Sequence, residues 1–150
     1  MRRTWVLVAL VTGLLAAACA RDNPTYSINE PSFHSAGPGA QDEIQSVLDA
    51  QAGSIVSGDW SGLLALYIPT ERSRCPVGAF ADASEQSLGG LRVRAQGSTL
   101  TAKMSDLHLD GFRASVDFQF VLPTFGLATT AKTSHYLKLG DRWFIDEKAC

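Results

Sequence analysis

Signatures of catalysis and cofactor binding are what this sequence has least of. It contains no Gly-x-Ser-x-Gly, so no strand-to-helix elbow exposes a serine nucleophile in the manner of a hydrolase. It has no glycine-rich phosphate loop. Three histidines and three cysteines are spread over 150 residues, and none falls at metal-ligand spacing. The sequence therefore implies no cofactor and no metal. Positive charge is not in excess either: 13 Lys and Arg stand against 15 Asp and Glu. A basic footprint for nucleic acid is missing. Asn23-Pro24-Thr25 carries proline in the middle and is no glycosylation acceptor. There is no internal repeat. What is present, 45% hydrophobic and 19% charged residues, suits one packed globular domain.

The first twenty residues carry an address. Arg2 and Arg3 give a positive start, and Trp5 to Ala20 runs without a charge. That run is shorter than the roughly 20 residues that span a bilayer comfortably. It ends in small residues, Ala16-Ala17-Ala18-Cys19. A basic start, an apolar middle and a small-residue end predict a secretory signal peptide over residues 1–18. Leu14-Leu15-Ala16-Ala17-Ala18-Cys19 resembles the lipobox of bacterial lipoproteins. The resemblance implies that Cys19 becomes the first mature residue and carries lipid on its sulfur and its amine. More than one buried acyl chain gives stable anchoring, here to the outer face of the cell membrane. Ala16 stands where that motif has Leu, Val or Ile, which leaves open ordinary cleavage after Ala18 or after Ala20. Loss of Arg2 and Arg3 takes the 13 basic residues to 11 against 15 acidic, a formal charge of −4. Lipid, and not charge, would then hold the chain to a membrane.

Cysteine parity bears on the same point. An odd count in an exported chain needs a reason. If Cys19 takes lipid, Cys75 and Cys150 remain as one pair in an oxidising compartment. The alternative is two unrelated thiols.

Residues 19–40 read as a tether after the lipid site. Pro24, Pro31, Pro38, Gly37 and Gly39 punctuate them without apolar periodicity. Such a coil would hold a domain about 25 Å from the membrane. Tyr26, Ile28 and Phe33 are its sizeable apolar residues.

A domain is predicted over residues 41–150. Ile44, Val47, Leu48, Ile55 and Val56 recur at helical spacing. Asp42 and Glu43 suit the positive end of that helix, and Gly58 suits its stop. Asp59 caps a short second helix, Trp60 to Tyr67, and Pro69 forbids further regular helix. A third helix is read over Phe80 to Leu88, ended by Gly89-Gly90. Strands are read over Thr99–Leu109, Phe112–Leu122, Thr129–Leu139 and Arg142–Glu147. Asp110-Gly111 and Gly140-Asp141 mark turns. In the second strand Phe112, Ala114, Val116, Phe118, Phe120 and Leu122 share one face. Helices followed by a strand meander predict an α+β fold.

The order of elements, with Ser57-Gly58-Asp59-Trp60 closing the first helix and Leu137-Lys138-Leu139-Gly140-Asp141-Arg142-Trp143-Phe144-Ile145 closing the chain, resembles the NTF2-like superfamily, which includes SnoaL-like and ketosteroid-isomerase-like proteins. With the lipoprotein signal and the tether, it resembles small actinobacterial lipoproteins. The resemblance implies a cone-like fold, N-terminal helices packed on a curved antiparallel sheet. Ligands of such folds sit in the cone. Trp60, Tyr67, Phe118, Phe120 and His135 are the expected lining residues. His135 is placed on the core side with Ala131, Thr133, Leu137 and Leu139. Asp106 and His108 share a face that points outward, because Leu107 and Leu109 take the other. Asp117 also faces solvent, and Arg72 and Arg74 are candidates for an anion.

Three readings of function follow. The first is a non-catalytic envelope lipoprotein that binds a small apolar ligand or a protein partner. The second is a SnoaL- or ketosteroid-isomerase-like enzyme with His135 as general base. The third is an accessory subunit of an envelope transport complex. The resemblance also makes a homodimer through the outer face of the sheet possible. No catalytic set is assigned with His135, and the fold by itself implies no reaction.

Overall fold

A computed structural model describes residues 37–150. The signal peptide, Cys19 and most of the tether lie outside the described residues. The first helix, α1, spans Ala40–Ser57. Ala40, Ile44, Leu48, Ala52 and Ile55 are its buried stripe, and Asp42 and Glu43 stand in its first turn. Gly58 closes it in the left-handed conformation, φ 71°, which glycine adopts without a Cβ penalty. Asp59 then caps α2, Trp60–Leu64, its carboxylate accepting the Gly62 N–H at 2.8 Å.

Two helical expectations change. Pro69 does not end helical structure but opens α3, Pro69–Arg74. At a first helical position the N–H that proline lacks would be unbonded anyway. The next helix, α4, runs Val77–Ala95, straight through Gly89-Gly90. Leu88, Leu91 and Ala95 pack with Ala52 and Ile55 of α1. That contact outweighs the roughly 1 kcal/mol helix cost of each glycine.

The strands are β1 (Thr101–Asp110), β2 (Arg113–Leu122), β3 (Leu127–Ala128), β4 (Lys132–Leu139) and β5 (Arg142–Ile145). They form an antiparallel sheet in the order β1-β2-β4-β5, with the short β3 beside the end of β2. The inner face carries Ala102 of β1, then Ala114, Val116 and Phe118 of β2, Tyr136 of β4, and Trp143 and Ile145 of β5. Ile44 and Leu48 of α1 lie against it with no exposed surface. This is the expected α+β cone, helices packed on one face of the sheet.

The two edges are closed differently. On β5 the Ile145 N–H donates to the Leu66 carbonyl and the Ile68 N–H to the Ile145 carbonyl. On β1 a bulge interrupts the register between Met104 and Asp106. There the Asp106 carboxylate takes the Leu107 N–H and Gln45 donates to the Ala102 carbonyl. Bulges and charged side chains of this kind blunt a sheet edge against pairing.

Cys75 and Cys150 form a disulfide, with Cα atoms 5.5 Å apart. Cys75 is buried among Leu63, Leu64 and Phe80. The bond ties the segment after β5 to the helical layer across 75 residues. In the chain-entropy account a loop of that length is worth about 4 kcal/mol. Cys150→Ser should lower the unfolding free energy by about 2–4 kcal/mol, read from denaturant midpoints. Unchanged midpoints would show that the bond contributes nothing.

Candidate functional site

The inner face of β4 decides what the cone contains. Ser134, Tyr136 and Lys138 are buried, while Thr133 and His135 are exposed. Ser134 stands opposite Val116, Tyr136 opposite Ala114 and Ile145, and Lys138 opposite Trp143. The expectation that His135 faces the core with Leu137 and Leu139 is therefore corrected: the strand is turned over by one residue. Tyr136 and Lys138 have long apolar bodies and carry polarity only at the tip, so they fill the cone. Leu137 sits on the outer face opposite Phe144, which shields it in part.

Both polar tips inside are satisfied. The Tyr136 hydroxyl accepts a hydrogen bond from Gln51 Nε2 at 3.1 Å. Burial pushes the Tyr136 phenol well above its ordinary pKa. The Gln51 hydrogen bond opposes this, and the charge of Glu147 adds to it. Burial, followed by Glu147, likewise raises Tyr67. Lys138 Nζ lies 2.7 Å from Glu43 Oε2, and Trp143 Nε1 donates to the same oxygen at 2.9 Å. The ammonium also stands 5.7 Å from the centre of the Trp143 ring, within cation–π range. The hydrogen bond from Lys138 is the main cause that holds the Glu43 carboxyl below its usual range. Burial opposes it, and the Trp143 hydrogen bond and the Lys138 charge assist it.

The five expected lining residues do not surround one cavity. Phe118 and Phe120 meet edge to face with centroids 5.3 Å apart. Tyr67 meets Phe80 in the same way at 5.6 Å. Trp60 packs between α1 and α4 and donates from Nε1 to Glu85. Phe120 borders a crevice of about 100 Å³ between α4 and the β2–β3 end of the sheet, which Leu91, Arg94, Leu122, Leu127 and Ala128 also line.

His135 borders an open trough of about 400 Å³ on the outer face. It lies in one row with His108 and Ser115, paired across β1, β2 and β4. Asp110, Arg113 and Asp146 complete the trough, and Arg113 pairs with Asp146 at 3.6 Å. The neighbouring row is Asp106, Asp117 and Thr133, with the Thr133 hydroxyl donating to Asp117. Asp106 and His108 thus point outward as expected. Their trough is open, and Ala114 and Tyr136 line it beside the polar side chains. Arg72 lies over the Phe144 ring at 6.0 Å and Arg142 at 5.2 Å, while Arg74 pairs with Glu71.

Sequence reasoning missed Gln51, Tyr136, Lys138 and Glu43 as a group. The available signal was the interrupted alternation of β4, where a buried Lys demands a carboxylate, and an acid stood in the first turn of α1. Among the described residues no three His, Cys, Asp or Glu side chains are grouped to hold a metal ion. Among them, too, no helix is long and apolar enough to cross a membrane.

No family model and no curated protein matches this sequence. Among solved structures, a chain from Campylobacter jejuni described as an NTF2-like transpeptidase superposes with a TM-score of 0.52. It is 12% identical, over 72% of this chain and 97% of that one. A SEC-C motif-containing protein from Rhodopseudomonas palustris aligns with a TM-score of 0.37 and 16% identity, over 63% of this chain and 68% of that one. The Campylobacter likeness shows that the fold is NTF2-like.

A pH test follows from Glu43. Its folded pKa lies below its unfolded value. Its stabilisation is therefore present above the ordinary carboxylate range and is lost as pH falls through the folded pKa. Lys138→Met should flatten the dependence of unfolding free energy on pH below about pH 5. An acid slope equal to that of the wild type would show that Lys138 does not hold Glu43 ionised.

Proposed function

We propose that this chain is an exported lipoprotein, held by acylated Cys19 to the outer face of the cell membrane. Its NTF2-like domain serves as a binding module, not as an isomerase-type enzyme. The observation that carries the reading is the Cys75–Cys150 bond. A structural disulfide belongs to an oxidising compartment. It also uses both cysteines of the domain and leaves Cys19, in its small-residue context, as the odd one out.

The binding role has its own support. Of the aromatic side chains expected to line a substrate cone, Phe118 and Phe120 close on each other and Tyr67 closes on Phe80, while Tyr136 is buried in the core cluster beside Phe118. His135 stands on the other side of the sheet, in an open trough. Recognition then falls to the surface and the rim of the cone, for a small apolar ligand or an envelope protein.

Wild-type protein should sediment with membranes and carry a mass increment of acyl chains. Cys19→Ala should move to the soluble fraction without that increment. If Cys19→Ala fractionates like the wild type, the lipid anchor is refuted.

A further inference from the structure

We infer that the crevice between α4 and the β2–β3 end of the sheet binds an anionic amphiphile. One straight aliphatic chain would lie on its apolar wall, and its acidic head on Arg94. The inference deepens the binding-module reading and does not depend on acylation of Cys19.

The wall is hydrocarbon. Leu122 forms its buried floor, and Leu91, Phe120 and Leu127 rise around it. Leu127 is 48% exposed, and Phe125, on the turn just before it, is 57% exposed. Leu127 is thus a large apolar side chain left open on the wall of an apolar crevice, as at a surface that binds something apolar. The backbone of the wall is already occupied. The Thr129 N–H donates to the Phe120 carbonyl at 2.8 Å, and the Phe120 N–H donates to Thr129 Oγ1 at 2.9 Å. A ligand entering here therefore meets apolar surface and little spare polarity.

Arg94 supplies the exception. It is exposed and sits in the last turn of α4. The ion pairs of the described residues engage Arg74, Arg92, Arg113, Lys132 and Lys138, and none engages Arg94. A guanidinium free of any carboxylate, at the lip of an apolar crevice, complements a carboxylate or phosphate through its fork of N–H donors. A neutral ligand would leave it unused, and a cationic one would be repelled.

The size limits the chain. About 100 Å³ takes three or four methylene-sized groups, at roughly 30 Å³ each. The rest of the chain would run over Leu127 and Phe125. Each methylene buried is worth about fourfold in affinity. The occupant is a free alkanoate, because a crevice of about 100 Å³ admits one chain whereas a membrane phospholipid carries two.

The test uses the full chain in its own membranes and three diazirine-bearing probes. These are a long-chain alkanoate, its methyl ester and a phosphatidylglycerol. Cross-linked peptides are mapped by mass spectrometry. The acid probe should label peptides spanning Leu91–Arg94 and Phe120–Thr129, and the ester should label them at least tenfold less. Arg94→Glu and Arg94→Gln should each reduce labelling at least fivefold, whereas Arg74→Glu should leave it unchanged. Stronger labelling by phosphatidylglycerol than by the alkanoate would overturn a free acid as the occupant. Labelling elsewhere, or labelling indifferent to both Arg94 variants, would overturn the inference. Cys19→Ala should retain crevice labelling wherever it fractionates, so failure of the anchor and failure of the crevice are read separately.

Discussion

Much of this fold turns on one contact: the stem of Lys138 is buried on the helix-covered face of the sheet, and its ammonium meets a counter-charge at the border of that face, where Glu43 is 44% exposed. Burying an unpaired charge is far costlier than burying a hydrocarbon. The partner is Glu43, one turn into α1. The carboxylate also accepts from Trp143 on β5. One oxygen thus gathers the first helix and the last two strands. Lys138 also fixes the parity of β4. With Lys138 inward, Tyr136 and Ser134 are inward and His135 is outward, because side chains alternate strictly along a strand.

The consequences reach the site. Tyr136, inward, meets Gln51 of α1 and fills the middle of the cone. Phe118 and Phe120 then close against each other. The helix-covered face of the sheet is thus used largely for packing. One opening lies at the rim, where α4 passes the end of β2 and Leu127 and Arg94 face the same crevice. His135, outward, joins His108 and Ser115 in a hydrophilic row. Parity thus places the histidine on the face of the sheet away from the helices.

Legibility in the sequence followed the clarity of the local pattern. In β2 each apolar side chain of the alternation faces inward, so its face was plain. Gly58, Asp59 and the glycines of the two hairpins act through backbone conformation over a few residues, and each does what its residue type prescribes. The pairing of Cys75 with Cys150 followed from parity. In β4 the pattern misled, because leucines at 137 and 139 and a histidine at 135 read as more apolar than Tyr136 and Lys138. Only contacts with residues some 90 positions away reverse that order, such as Lys138 with Glu43 at a separation of 95. The passage of α4 through Gly89-Gly90 was hidden for the same reason: packing on α1 decided it. The rim crevice joins Leu91 and Arg94 to Leu127 through tertiary structure alone.

The Lys138–Glu43 contact sets the parity of β4. A double-mutant cycle on unfolding free energy tests it most directly, with Glu43→Gln, Lys138→Met and the two combined. Glu43→Gln alone leaves the Lys138 ammonium without its counter-charge, whereas the double variant removes the charge as well. The account predicts that the double variant is more stable than Glu43→Gln alone, with a coupling of about 1 kcal/mol or more. Additive effects would mean that the two side chains do not meet, and that the parity of β4 has another cause.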